Sequence, residues 1–512
     1  MTPEIVADFM VSLADIPKTA RILEPSSGEG IFLSALKKNG WHNITAYEID
    51  PTLAQQPEVH NASFVSANIA TDFDLVIGNP PYIRWKNLEP ELKSELENNP
   101  LWNTYCNALC DYSAIFILKA ISLLKNGGQL IFITPEYWLN TTHSIKLRNF
   151  MLEQGYFEAI YHFNETPMFE GANVSLIIFK FIKAPSAYKP EIHFTQYYDR
   201  KKITAAALSA LKNKHPLADA EYFSLPPFEH NKKWLLIPAV TAQSLAQFEQ
   251  ACQPRNSDSL FPEGFHTISE FCDIGNGMVS GLDKAFQLSS AAWTEKEKEK
   301  IIKVVKAKQI APYHALGTTD YFLLPEGEVS SEAELAQDYP NFHMGLLEYK
   351  TQLNARYRYN RDIKYWEWCF LRNYKHFSSR QPRILVPCKE RISNKNYFRF
   401  CFAEEDIYPT QDVTAIFPKK TTQESIYYIL GFLNHWRVFD WLRFNGVIKG
   451  DIVEFSEKPI GSIPYRKIDF SSNDEKNLHD DIVALVKAHL NHKDVCLIEK
   501  INLKFDKLLI GK

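Results

Sequence analysis

No apolar run in the sequence is long enough to cross a bilayer, and the opening Met1-Thr2-Pro3-Glu4 lacks the basic start, apolar stretch and cleavage site of a secretory signal. A protein working outside membranes, in the cytoplasm, is therefore expected. The eight cysteines (106, 110, 252, 272, 369, 388, 401 and 496) contain no Cys-x-x-Cys, so neither a disulfide framework nor a metal site is expected. Cys106 and Cys110, four apart, suit one face of a helix. There is also no Pro-Asp dipeptide with which the common nuclease signature begins, and a fused nuclease is not expected.

What is there suits a globular protein of ordinary composition, with 45% hydrophobic and 23% charged residues. At 512 residues the chain is too long for one core, and two domains are expected, 1–240 and 241–512. The net charge of −4 hides an uneven distribution. Residues 350–399 hold 13 Lys or Arg against three acids, a local +10, which leaves −14 for the rest. Arg356, Arg358, Arg361, Lys364, Arg372, Lys375, Lys389 and Arg391 lie in that segment, where a phosphate backbone could use them. Ten aromatics share it, among them Tyr357, Tyr359, Tyr365, Trp366, Trp368, Tyr374 and Phe377. A solvated basic face over an aromatic core is the plainer reading of the same pattern.

The first 180 residues alternate between short apolar strands and helices. Helices are expected over 5–13, 31–38 and 113–124; strands over 21–23, 44–47, 63–65, 74–77, 129–134 and 174–182, with Asn126-Gly127-Gly128 ending the third helix. This spacing implies a doubly wound, mainly parallel α/β sheet covered on both faces, with ligands at the carboxyl ends of its strands. The C-terminal half mixes helix and strand without a legible pattern.

Glu24-Pro25-Ser26-Ser27-Gly28-Glu29-Gly30 follows the first strand and opens a helix, so its glycines permit a tight bend close to a ligand. A dinucleotide fingerprint would need a small residue where Leu33 stands, and a phosphate-cradling P-loop would need a Lys where Ile31 and Phe32 follow. Both phosphate ligands are thus disfavoured. A cofactor with an amino-acid tail suits the acidic rim: Glu24 can meet an ammonium group, Glu48 can accept ribose hydroxyls, and Ile49 can pack on an adenine ring.

Gly78-Asn79-Pro80-Pro81-Tyr82 ends the fourth apolar strand. The Asn79 side-chain oxygen and the Pro80 carbonyl can both accept hydrogen bonds from a planar amino group, drawing its nitrogen toward tetrahedral geometry. The lone pair can then attack a sulfonium methyl directly. The two prolines preorganise these acceptors, and Tyr82 offers a flat face on which a base can stack.

Together, Thr2 to Met10, Glu24 to Gly30, Tyr47-Glu48-Ile49-Asp50-Pro51 and Asp74 to Tyr82 resemble the TaqI-type (gamma-class) N6-adenine DNA methyltransferases of type II restriction–modification systems. The resemblance spans about the first 180 residues. It implies S-adenosylmethionine as cofactor, a flipped-out adenine in double-stranded DNA as substrate, and a C-terminal target recognition domain of mixed α+β fold. It implies that Thr2 closes over the methionine end of the cofactor, and that Ser26, Gly28, Gly30, Asn79 and Pro81 line the same site. Phe169, ahead of the strand at 174–182, stands where the family covers the second face of the base. Where the family commonly has an Asp for the cofactor's adenine, this chain has Asn68, with Asp72 as the alternative. Gly275 to Gly281 resembles the glycine-rich opening of the recognition domain, and 83–110 is an insertion. A separate cognate endonuclease and a monomeric enzyme are expected. Protein-glutamine and RNA-adenine methyltransferases are the rival readings, because the reaction motif reads only an amino group.

Overall fold

The structure is a computed structural model describing residues 2–169, 174–185, 189–254, 264–287, 293–357, 359–393, 395–449 and 452–510. It divides into two compact units, Met1–Ala242 and Gln243–Lys512.

Nine strands form the sheet of the first unit: β1 (Ile22–Glu24), β2 (Ile44–Glu48), β3 (Val59–Asn61), β4 (Phe73–Gly78), β5 (Leu124–Pro135), β6 (Gly155–His162), β7 (Leu176–Lys183), β8 (Ile192–Tyr197) and β9 (Ala220–Leu225). Their order is β3-β2-β1-β4-β5-β7-β6-β8-β9. The first five strands run parallel, β7 is antiparallel to β5 and β6, and β9 is antiparallel to β8. Strand order reverses between β1 and β4, so the connections leave that pair toward opposite faces and open a crevice at the carboxyl ends.

The helices are α1 (Glu4–Ser12), α2 (Ile31–Lys38), α3 (Pro90–Glu97), α4 (Pro100–Tyr105), α5 (Ser113–Leu123), α6 (Ile145–Gln154) and α7 (Ala205–Lys212). Successive strand residues point to opposite faces. Ile22, Leu75, Ile77, Ile131 and Ile133 accordingly enter one core with α1, α2 and α7. Leu23, Val76, Leu130 and Phe132 enter the other with α5 and α6. Strands apolar on both sides are what a doubly covered sheet requires, and the expected fold class holds.

Three local expectations are corrected. Residues 63–65 are not a strand: the third strand is Val59–Asn61, paired with Ala46 to Glu48. Phe64 and Val65 are apolar because they plug the core beside α5, the Phe64 and Phe116 rings lying 5.1 Å apart. Asn126-Gly127-Gly128 does not end α5, since strand pairing already begins at Leu124. The glycines lie where the β4–β5 register shifts between Phe73 and Leu75, with Gly127 at φ 78°. Cys106 follows the end of α4 in an extended conformation, so it shares no helix face with Cys110. Strand β6 was not anticipated, because Glu158 and two tyrosines interrupt its apolar alternation.

The 83–110 insertion is folded into the first unit's core. It supplies α3 and α4, buries Leu88, Leu96 and Trp102, and stacks Trp85 on Trp102 at 5.8 Å.

The second unit holds a four-stranded antiparallel sheet in the order Cys272–Asn276, Val413–Pro418, Arg383–Pro387 and Cys401–Ala403, with two three-stranded sheets and helices that include Asn473–His492 and Cys496–Ile510. Among the described residues no helix is long and apolar enough to cross a membrane.

Candidate active site

At the end of β1 the chain bends through Gly28 and Gly30, both left-handed at φ 52° and 79°. A Cβ on Gly30 would stand 2.0 Å from Gln56 Nε2, whereas one on Gly28 would meet nothing within 4 Å. The bend is thus closed on one side and open on the other. Glu48 ends β2 with Oε2 accepting from the Gly28 amide at 2.7 Å and Oε1 from the Asp50 amide at 2.9 Å. Each oxygen retains a lone pair that a ribose hydroxyl could engage. Ile49 beside it is 57% exposed, unusual for an isoleucine, and Asn61 Nδ2 holds its carbonyl at 3.1 Å.

Glu24 is fully buried, and neither carboxylate oxygen completes a hydrogen bond. Burial, then the nearby charge of Glu48, push its pKa well above the usual carboxylate range, with the Leu33 amide pulling weakly the other way. An unpaired carboxylate in such a place is costly. A ligand ammonium drawn against the bend would supply the missing counter-charge, so the site fits the amino-acid end of S-adenosylmethionine and opposes a phosphate.

The reaction motif leaves β4 beside this bend: a Cβ on Gly78 would lie 3.4 Å from Pro25. Asn79 is half-buried. Its Nδ2 donates to Thr2 Oγ1 at 3.0 Å, and its carbonyl accepts from Ser26 Oγ at 3.1 Å. Thr2, Ser26 and Asn79 therefore form one hydrogen-bonded group. With Nδ2 engaged, the amide oxygen faces the other way, where the Tyr82 hydroxyl meets it while also lying 2.6 Å from the Ile133 carbonyl. Pro80 is buried and Pro81 half-buried.

Burial and the nearby groups Asp111 and Tyr137 raise the pKa of Tyr82 well above its ordinary value, so its hydroxyl remains a donor. Tyr137 donates to Asp111 Oδ2 at 2.5 Å, and Asp111 Oδ1 caps the start of α5 through the Ser113 amide at 2.8 Å. Sequence reading missed both Asp111 and Tyr137. Tyr82 and Phe169 are both partly buried at the margin of the same core.

Asn68 is exposed in the turn after Val65, and Asp72 is exposed in a left-handed conformation at φ 74°. That turn is held by Lys119, whose Nζ donates to the carbonyls of Val65 at 3.0 Å and Ala67 at 2.6 Å. Burial lowers the Lys119 pKa to about 8. A single lysine within the otherwise apolar α5 was the available signal.

In the second unit, the local charge of +10 overstates the number of cations open to a ligand. Arg356, expected as a phosphate contact, is turned inward: Nη1 donates to the Ser280 carbonyl at 2.9 Å, and Nη2 to the carbonyls of Lys364, also at 2.9 Å, and Glu367. Arg358 lies outside the described residues. Arg361 pairs with Glu326 at 2.6 Å, and Lys364 donates to the Ser330 carbonyl at 2.6 Å. Arg372 is half-buried, its Nε held by the Gly277 carbonyl at 3.1 Å. Lys375, Lys389 and Arg391 are exposed, Lys389 standing 3.7 Å from Glu454. Carbonyl partners occupy N–H groups but leave the charge in the field, so Lys364 and Arg372 still contribute positive potential. Tyr365, Trp366, Trp368 and Phe377 are core residues. The glycines of 275–281 serve close packing: a Cβ would stand 2.1 Å from the Thr410 carbonyl at Gly277 and 2.4 Å from Cys369 Sγ at Gly281.

This sheet order, with an uncompensated acid under its first bend and an amide just past the end of its fourth strand, is the S-adenosylmethionine-dependent methyltransferase fold, and S-adenosylmethionine is the methyl donor. The family model for the Eco57I restriction-modification methylases matches residues 31–169. The type II methyltransferase M.HindII of Haemophilus influenzae is 43% identical over 515 residues, covering 99% of this chain and 96% of that protein. M.HincII, also from Haemophilus influenzae, is 41% identical over 510 residues, with 99% and 96% covered. The solved structure of the type IIL restriction-modification enzyme MmeI in complex with DNA shares the fold over 99% of this chain and 72% of that one, with a TM-score of 0.60 at 12% identity. The chain belongs to the family of type II methyltransferases of restriction–modification systems, enzymes that methylate DNA at specific sites. The rival protein-glutamine and RNA-adenine readings find no support among these relatives.

Proposed function

We propose that the enzyme transfers the methyl group to N6 of an adenine rotated out of duplex DNA. The observation that carries this reading is the placement of the Asn79 amide, whose nitrogen meets Thr2 while its oxygen faces the Tyr82 hydroxyl. Asn79 Oδ1 and the Pro80 carbonyl would each accept one hydrogen of the amino group and pull its lone pair out of conjugation. Held donors and acceptors of this kind need no reorganisation during the reaction. The cofactor supplies an electrophilic methyl on a sulfonium. Glu24 offsets its ammonium, Glu48 binds its ribose, Ile49 covers its adenine, and Gly28 with Gly30 shape the bend around it; Ser26, Asn68 and Pro81 complete the surroundings. Tyr82 and Phe169 take the two faces of the base, the Tyr82 hydroxyl giving up Asn79 Oδ1 as the amino group arrives.

Extruding the base costs about a few kcal/mol, which DNA binding must offset. Residues 241–512 are read as the target recognition domain. Lys375, Arg372, Lys389 and Arg391 are the first candidates for phosphate contacts, with Arg361 and Lys364 acting mainly through their charge. A monomeric cytoplasmic enzyme and a separate endonuclease acting on the same site complete the reading.

The test is to express the chain in cells lacking their own methylation and sequence their DNA by a method that separately registers N6-methyladenine and N4-methylcytosine. One short motif carrying N6-methyladenine is expected, absent with Asn79→Ala. Modification on cytosine would overturn the adenine assignment, and undiminished methylation by Asn79→Ala would overturn the mechanism.

A further inference from the structure

The aromatics of 350–399 fall into two sets. While Trp366 and Trp368 are buried, Tyr357 is 71% exposed, Tyr359 42% and Phe370 38%. These three rings adjoin: Tyr357 and Tyr359 lie edge to face at 4.7 Å, and Tyr359 and Phe370 lie tilted to one another at 6.0 Å. Single exposed aromatics need no explanation, but a contiguous cluster of them marks a contact surface.

The cluster is also tied to its surroundings. Val279 and Phe370 exchange backbone hydrogen bonds at 2.9 and 3.0 Å. The Arg356 guanidinium ties the base of the loop to the Ser280 carbonyl, and Cys369 Sγ donates to the Tyr357 carbonyl at 3.4 Å. Gly281 lets these strands approach, since any Cβ there would collide with Cys369. Tyr359 and Asn360 adopt left-handed backbone at φ 53° and 57°, turning the chain so that the rings face outward. The Arg361 guanidinium stands 5.5 Å over the Phe370 ring.

We infer that Tyr357, Tyr359 and Phe370 form a preorganised wedge that stacks on base faces of the bound DNA, a role distinct from phosphate contact. This rests on the reading that the second unit binds DNA. Charge favours the occupant: residues 356–375 carry six Lys or Arg against Asp362, Glu367 and the Glu326 that pairs with Arg361, an excess of cations around the rings. Base faces pack on aromatic rings without regard to sequence, and a wedge ordered beforehand loses little freedom on binding.

The experiment measures affinity for a duplex oligonucleotide bearing the motif recovered from expressing cells, by fluorescence anisotropy over a range of salt. The Tyr357→Ala/Tyr359→Ala double variant is expected to bind on the order of ten-fold more weakly with an unchanged slope of log Kd against log salt. Tyr357→Phe/Tyr359→Phe should bind as the parent does. Melting should be unaltered, as both rings are exposed; if the double variant melts early, Tyr357→Ala alone carries the same expectation. Binding within two-fold of the parent would overturn the wedge and leave the patch as a protein-contact surface, and a weaker salt slope would reassign it to phosphate. Failure of the parent to bind any duplex would instead overturn the DNA-binding reading of the second unit.

Discussion

Asn79 Nδ2 donates to Thr2 Oγ1 across 3.0 Å, although 77 residues separate the two along the chain. An amide can turn either of two chemically opposite ends toward a substrate; here the nitrogen end meets Thr2 and the oxygen end meets Tyr82.

Thr2→Ala should therefore lower single-turnover methylation about three- to ten-fold, the equivalent of one hydrogen bond of about 1 kcal/mol. Thr2→Ser should restore it. Equal rates for the Ala and Ser variants would show that the amide is oriented by something else.

Tyr82 separates two contributions in one side chain. Tyr82→Phe keeps the ring while freeing Asn79 Oδ1, and is expected to hold kcat/KM within about three-fold, since one net hydrogen bond is worth about 1 kcal/mol or less. Tyr82→Ala removes the stacking face and should cost roughly ten- to one-hundred-fold. Steady-state kinetics on motif-bearing DNA distinguish the two.

Glu24 links stability to pH. Its folded pKa lies above the ordinary 4.5, so the stability it contributes is fully present below about pH 4.5 and is lost as pH rises through the folded value. Glu24→Gln removes the uncompensated charge. At pH 7 the cofactor-free variant is expected to melt above the parent, the gap closing as pH falls. S-adenosylmethionine should stabilise the parent more than the variant. Thermal melts from pH 5 to 8, with and without cofactor, check both; a variant that melts lower at pH 7 would contradict the isolation of this carboxylate.

Arg356 and Lys375 should part company. Arg356→Ala removes the guanidinium from the part-buried Ser280 and Glu367 carbonyls and is expected to destabilise the second unit by roughly 2–4 kcal/mol. Lys375→Ala should leave melting unchanged and lower the salt slope of DNA binding by about one. Calorimetry and salt-dependent binding test the pair.

Much of the catalytic unit was legible because it is local. Short apolar runs ending in a glycine bend, in Glu48 and in Asn79-Pro80-Pro81-Tyr82 announce strands β1, β2 and β4 and the loops that follow, since backbone preference and side-chain alternation act over a few residues. The same logic failed at 63–65, where apolarity reflects a plug in the core, and at β6, where polar residues blur the period.

What a side chain does with its donors was not local. By itself the sequence determined the fold class, the order of motifs and the excess of cations in 350–399. Only the tertiary structure decided that Arg356 braces a loop, that five of the aromatics there are core while Tyr357, Tyr359 and Phe370 form a surface, that Glu24 has no partner, and that Tyr82 rests on Asn79. The reason is physical. Charge and polarity belong to a residue, but whether they are spent depends on which distant carbonyl, carboxylate or amide the packed elements bring within about 3 Å.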